Sequence, residues 1–210
     1  MKKKYVIIGG GTASIGCIEG IRSVDKEGDI TLISAESHHV YGRPLISYYL
    51  EGKTDLERIK YRPDDFYEKN NVSLIFDTAE KIDSEKKTVT LLSGKKVEYT
   101  ELMVSTGSKP FVPPFEGLDT APKKFTFLTL DDALTLEKEL KPDSKVLIIG
   151  AGLIGLKCAE GIKDRVGKIT VCDLATRVLS SIFDDECAEI MQKHMESEGI
   201  EFLLGDSAVK

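Results

Sequence analysis

The chain has 210 residues, a formal net charge of −6, 41% hydrophobic and 30% charged residues, which is enough for one large domain or two small ones. That negative balance excludes a nucleic-acid partner, which needs a basic surface, and no stretch approaches membrane-spanning length. Lys2, Lys3 and Lys4 precede only Tyr5, Val6, Ile7 and Ile8 before Gly9, too few apolar residues for a secretory segment, so the chain reads as cytoplasmic.

From Lys4 the chain reads as a buried strand, a turn Gly9-Gly10-Gly11, and an amphipathic helix from Thr12 to about Ser23. A β-branched strand from Asp29 follows, and then Glu36. In residues 37–53 the Arg43-Pro44 pair implies an extended Arg43, followed by a helical turn from Leu45 to Leu50 closed at Gly52. A short helix near Asp64 to Asn70 precedes a strand Val72 to Phe76. Alternating stretches around 81–83, 88–92 and 96–99, with the turn Ser93-Gly94, predict an antiparallel meander. Leu102 to Gly107 returns to the main sheet, and Pro110, Pro113 and Pro114 mark a crossing between domains near residues 111–122.

The opening pattern then repeats. Lys145 to Ile149 is a strand, Gly150-Ala151-Gly152 a turn with Gly155 further on, Leu153 to about Asp164 a helix, and Lys168 to Asp173 a strand ending in an acid. In such a turn the first glycine makes the bend, the second lets a pyrophosphate approach the backbone, and the third lets helix and strand pack closely. The N-terminus of the next helix offers unpaired N–H groups to the anion. Glu36 and Asp173 each lie about 20 residues beyond their glycines, where a carboxylate accepts both hydroxyls of an adenosine ribose; otherwise they are strand-end acids facing water. Asp173 favours NADH over NADPH, whose 2′-phosphate would meet a carboxylate.

Cys17, Cys158, Cys172 and Cys187 are far apart, so a redox dithiol, a zinc site and a disulfide framework lack support, and packing is expected for all four. Cys187, Ile190, Met191, His194 and Met195 share one helix face, expected to face the core. That helix ends at Gly199, before a last strand Ile200 to Leu204. There is neither a hydrolase elbow nor a P-loop ending.

The run Val-Ile-Ile-Gly-Gly-Gly, the segment Tyr-x-Arg-Pro-Leu-Ile-Ser at 41–47, Ser-Thr-Gly-Ser-Lys-Pro at 105–110 and the second glycine fingerprint resemble the FAD-dependent pyridine nucleotide-disulfide oxidoreductase family. The likeness is greatest to its branch of rubredoxin, ferredoxin and nitrite reductases. It implies an α/β fold of two Rossmann-like dinucleotide-binding domains: residues 1–113 for FAD, with the small meander, and 114–210 for NAD(H), the second truncated. It implies that Gly9, Gly11, Thr12, Ala13, Ser14, Glu36, Arg43, Thr106 and Gly107 contact FAD, and that Gly150, Gly152, Leu153, Ile154, Gly155, Asp173 and Arg177 contact NADH. The implied reaction is hydride transfer from NADH to FAD, then electron transfer to an external acceptor: a small redox protein, a nitrite-reducing domain, oxygen or a quinone. The parent protein is then a homodimer candidate, and no side chain presents itself as a general acid or base.

The sequence departs from the family pattern in several places. Ser14 stands where the third glycine is usual, and residues 37–53 hold no redox cysteine, which disfavours a thiol-dependent peroxidase or coenzyme A disulfide reductase. Lys157 stands where many relatives carry a glutamate near the nicotinamide, and Tyr48 near where some carry a lysine facing the flavin. An ion pair there is absent or reversed, with Glu51 the candidate partner of Lys157. The family's returning FAD segment and C-terminal interface domain are not in these 210 residues, so the chain reads as a fragment that holds FAD weakly or not at all and is inactive alone. The competing reading is a non-catalytic FAD- or NADH-binding regulatory or interaction module.

Overall fold

A computed structural model describes residues 2–114 and 116–208. Phe115, inside the expected crossing, and Val209 and Lys210, at the expected chain end, lie outside the described residues. In chain order the elements are β1 (Lys4–Ile8), α1 (Thr12–Val24), β2 (Asp29–Ser34), α2 (Ile46–Leu50), α3 (Phe66–Lys69), β3 (Val72–Phe76), β4 (Ala79–Asp83), β5 (Thr88–Leu91), β6 (Lys96–Glu98), β7 (Glu101–Val104), α4 (Leu130–Glu139), β8 (Lys145–Ile149), α5 (Leu153–Ile162), β9 (Lys168–Asp173), α6 (Asp185–Ser197) and β10 (Ile200–Leu204).

The chain divides into two compact units. The first runs to Gly42 and resumes over Lys60–Ser108; the second takes Arg43–Ile59 and everything from Lys109 on. By compactness, residues 43–59 therefore group with the second unit. The physical reason is the seat of α2 on α5: a Cβ added at Gly161 would lie 2.8 Å from the Ser47 carbonyl oxygen, so only glycine lets the two backbones approach this closely.

In the first unit a parallel sheet of order β3-β2-β1-β7 carries β-branched and aliphatic residues on both faces, as strands covered on both sides do. Ile7, Ile30 and Leu32 pack against Ile15 and Ile18 of α1 and Phe66 and Tyr67 of α3. On the other face Val6, Ile8 and Ile33 pack against Val89 and Leu91 of the antiparallel layer β4-β5-β6, so the expected meander is present. The chain leaves β1 toward β2 on one side and returns to it through β7 on the other. This puts a topological switch point at the C-terminal end of β1, where open parallel sheets bind ligands.

In the second unit the parallel sheet has order β10-β9-β8. Ile148 of β8 faces α5, and by strand alternation Leu147, Ile149 and Leu203 share the opposite face; these three are about half exposed, at 54%, 46% and 50%. The first unit's corresponding face is the one covered by β4-β5-β6.

Helix α4 is an element that the sequence reading did not anticipate. Its signal is Thr129 followed by Asp132: the Thr129 side chain accepts from the Asp132 N–H while the Asp132 carboxylate accepts from the Thr129 N–H, a reciprocal cap. Helix α6 is present but turned from the expected phase. Ala188 and Met195 are buried, whereas Cys187, Ile190 and His194 are exposed. Apolar residues occupy two adjacent stripes of this helix, so spacing alone did not select between them.

Candidate functional site

At the end of β1, Gly9 has φ of +110°, and a Cβ there would meet the Ser105 carbonyl oxygen at 2.2 Å. Its N–H donates to the Ile33 carbonyl at 2.8 Å. Ser105 closes the other side, its N–H donating to the Ile8 carbonyl at 2.8 Å. Thr106 lies directly against Gly9, and the exposed Gly107 follows with φ of +68°. The structure thus brings Gly9, Gly11, Thr106 and Gly107 to one end of the first sheet. Gly11 caps α1, Thr12 and Ala13 are exposed in its first turn, and Ser14 is fully buried with its hydroxyl donating to the Gly11 carbonyl at 2.6 Å. The serine at the third-glycine position is therefore accommodated inside the turn.

The second turn repeats the bend with a different tight point. Gly150 has φ of +113° and its N–H donates to the Cys172 carbonyl at 2.8 Å. Here Gly155 is the close approach: a Cβ would sit 1.9 Å from the Gly150 carbonyl oxygen. Gly152 caps α5, with Leu153 and Ile154 exposed in the first turn.

The four long helices divide into two kinds at their N-termini. Helices α4 and α6 are capped by Thr129 and Asp184 and carry acids in the first turn, which satisfies their N–H groups and opposes the dipole. Helices α1 and α5 begin on Gly11 and Gly152 with no side-chain cap and no acid in the first turn. A Cβ at either glycine would meet nothing within 4 Å. Both N-termini thus start without a side-chain cap beside open space, which suits the diphosphate of a dinucleotide.

The two acids are not placed alike. Gly9 bonds to Ile33 as Gly150 bonds to Cys172, so Ser34 is the positional equivalent of Asp173, and Glu36 lies two residues farther on. Asp173 accepts from the Ala151 N–H at 2.6 Å and the Ala175 N–H at 2.8 Å, tying the strand end to the glycine turn. Ser34 donates to the Glu36 carbonyl at 2.7 Å, and the Glu36 carboxylate accepts from the Tyr41 hydroxyl at 2.6 Å.

Both arginines are held by bonds within the second unit. Arg43 opens a 3₁₀ turn over Arg43–Leu45 and is not extended, because the turn runs straight into α2; it donates to the Leu128 carbonyl at 3.1 Å inside the second unit. Arg177 pairs with Asp185 at 3.0 Å and donates to the Ser180 carbonyl at 3.3 Å. Of the two alternatives there, an ion pair absent or reversed with Glu51, no reversed pair forms among the described residues: Lys157 pairs with Glu160 one turn along α5 and lies 4.3 Å from the Tyr48 ring centroid, while Glu51 pairs with Lys53 at 2.5 Å.

None of the cysteines is poised as a thiolate. Burial pushes the Cys158 thiol up to about 12 and raises Cys17 and Cys172, and the Asp184 carboxylate beside Cys187 raises that exposed thiol. Cys158 and Cys172 are buried as expected; Cys187 is exposed, which corrects the expectation that it packs in the core.

Parallel sheets with a glycine-initiated helix after the first strand define an α/β protein of the kind that matches FAD- and NAD-binding oxidoreductases. More narrowly, residues 3–210 match the model of the pyridine nucleotide-disulphide oxidoreductase family, and the chain belongs to it. It is 37% identical over 206 residues to the nitrite reductase [NAD(P)H] of Bacillus subtilis, covering 97% of this chain and 25% of that protein. It is 30% identical over 201 residues to the rubredoxin-NAD(+) reductase of Pseudomonas putida, covering 95% and 52%. Among solved structures, the covalent putidaredoxin reductase–putidaredoxin complex aligns with a TM-score of 0.88 and 27% identity, over 98% of this chain and 50% of that one. The chain thus spans from a quarter to about half the length of the proteins it matches.

Proposed function

We propose that this chain is the part of a flavoprotein oxidoreductase that binds FAD through the first unit and NADH through the second, two Rossmann-type domains in one chain. The single observation that supports this most is the pair of helices, α1 and α5, that begin on an uncapped glycine facing open space. When bound, the cofactors supply hydride transfer from NADH to flavin and electron release to an external acceptor, such as a small iron-sulfur protein or a nitrite-reducing domain. The chain's own groups bind and orient. The amides at Gly11 and Gly152 receive the diphosphates, Glu36 and Asp173 receive the ribose hydroxyls, and the backbone at Thr106 and Gly107 borders the first site. Four thiols held protonated fit a route that bypasses any protein disulfide. We place the protein in the cytoplasm.

Titration of the purified chain with FAD, followed by flavin fluorescence, and with NADH, followed by calorimetry, tests the reading. NADH is expected to bind and FAD to bind only weakly, and binding of neither at millimolar concentration overturns the reading. Asp173→Ala is expected to weaken NADH at least about tenfold, the equivalent of roughly 1.4 kcal/mol, and to leave FAD unchanged. An unaltered NADH affinity in that variant removes Asp173 from the site.

A second reading, binding without turnover, draws on the Lys157 ammonium being tied to Glu160 and the Tyr48 ring. Reduction of an artificial dye by NADH in the presence of FAD and the full-length protein separates the two, since a binding module leaves the dye coloured.

A further inference from the structure

Residues 43–59 leave the first unit and return to it at one place. Tyr41 and Lys60 form an isolated antiparallel bridge at the neck of this excursion, and the Tyr61 N–H donates to the Val40 carbonyl at 2.9 Å. Val40 and Tyr41 are buried. The neck belongs to the first unit and the strap it closes, residues 43–59, to the second.

The strap has little order of its own. Its helix α2 is five residues long, far short of the roughly 12–15 that an isolated helix needs in water. The N–H groups of Glu51, Gly52 and Lys53 donate to the carbonyls of Ser47, Tyr49 and Tyr48 at 2.9–3.0 Å, and these bonds persist only while α2 stays in place. What holds it is supplied by the second unit. The Ser47 backbone lies against Gly161 of α5, where a Cβ would come within 2.8 Å of the Ser47 carbonyl oxygen. Both oxygens of the Glu137 carboxylate on α4 are engaged: one accepts from the Tyr49 hydroxyl at 2.8 Å, the other from two Arg165 nitrogens at 2.9 Å each. Arg165 also donates to the Leu50 carbonyl at 3.1 Å. Ile46, Ser47 and Leu50 are buried, so a strap that opened alone would forfeit this burial and every one of these bonds.

We propose that the strap opens only together with α5, so that NADH at the second glycine turn orders a segment whose neck is held in the first unit. The inference rests on the NADH reading of the second unit. A ligand on the Gly152 amides holds α5 closed, and a strap that cannot part from α5 is closed with it. Occupancy of the second site is thereby carried along the chain to Gly42 and Lys60. Amides exposed by one cooperative opening exchange as a group, and a ligand that binds only the closed form slows them all by the same factor.

The test is hydrogen exchange, read by mass spectrometry on the purified chain without NADH and with NADH at a hundred times its dissociation constant. The amides of α5 and those of Glu51, Gly52 and Lys53 are expected to slow alike, by about a hundredfold, while those of β1 and β2 keep their rates. Slowing in α5 with none in the strap overturns the inference and leaves the NADH reading standing. Slowing of β1 and β2 as large as that of the strap also overturns it, because the response then belongs to the whole chain. No slowing anywhere removes the NADH reading and this inference together. Gly161→Ala supplies a second arm: alanine suits a helix interior better than glycine, so α5 is expected to keep its NADH response. The displaced strap is expected to exchange about tenfold faster or more and to lose that response. A strap that responds to NADH as before in folded Gly161→Ala overturns the inference.

Discussion

Gly155→Ala is expected to lower the stability of the second unit by about 3 kcal/mol or more and to abolish NADH binding. The added Cβ would fall 1.9 Å from the Gly150 carbonyl oxygen and 3.3 Å from an Ile148 methyl. The first obstacle is backbone and cannot rotate away, so helix α5 must lift from β8 or the turn must open. Either movement displaces the amides at Gly152. Denaturant unfolding together with NADH titration reads both effects. The matched change in the first turn, Ser14→Gly, is expected to cost about 1–2.5 kcal/mol, the intrinsic penalty of glycine within a helix plus one hydroxyl hydrogen bond, with no backbone clash added. Equal effects at the two positions would show that the turns are interchangeable and that the close approach at Gly155 carries no weight.

Arg22→Ala is expected to cost the first unit about 3–5 kcal/mol. Arg22 is 8% exposed and donates from three guanidinium nitrogens to the carbonyls of Asn70, Asp25, Gly28 and Asn71. It thereby ties the end of α1, the turn before β2 and the turn before β3 into one knot. Alanine leaves four carbonyls without these donors, and the loss falls on both loops at once. Arg22→Lys is expected to recover only part of the loss, because one ammonium cannot reach four acceptors that a planar fork spans. Thermal unfolding of the three proteins decides it; an Arg22→Lys variant as stable as the natural chain would reduce the residue to a simple charge.

The elements carrying the two turns were legible because their determinants are local. Buried strands read as unbroken apolar runs, and glycines with φ above +100° at Gly9 and Gly150 mark themselves by residue type. The reading weakened wherever geometry depends on a distant neighbour. Arg43 looked extended beside Pro44, but the 3₁₀ turn and α2 are set by the seat of α2 on α5, more than 100 residues away in sequence. Glu36 and Asp173 looked equivalent by spacing, and only strand register separates them. Whether Lys157 pairs at all could not be read from sequence, because its partner, Glu160, three residues along its own helix, is one of several acids within reach of a long side chain.

The half-open face of the β10-β9-β8 sheet has a thermodynamic corollary. Leu147, Ile149 and Leu203 already meet water in the native state, so each adds less newly hydrated apolar surface on unfolding than a fully buried residue such as Ile7 or Val89 does. The heat-capacity increment scales with that newly hydrated surface. Covering that face with apolar side chains would therefore sharpen the curvature of the chain's stability with temperature and make it lose more on cooling.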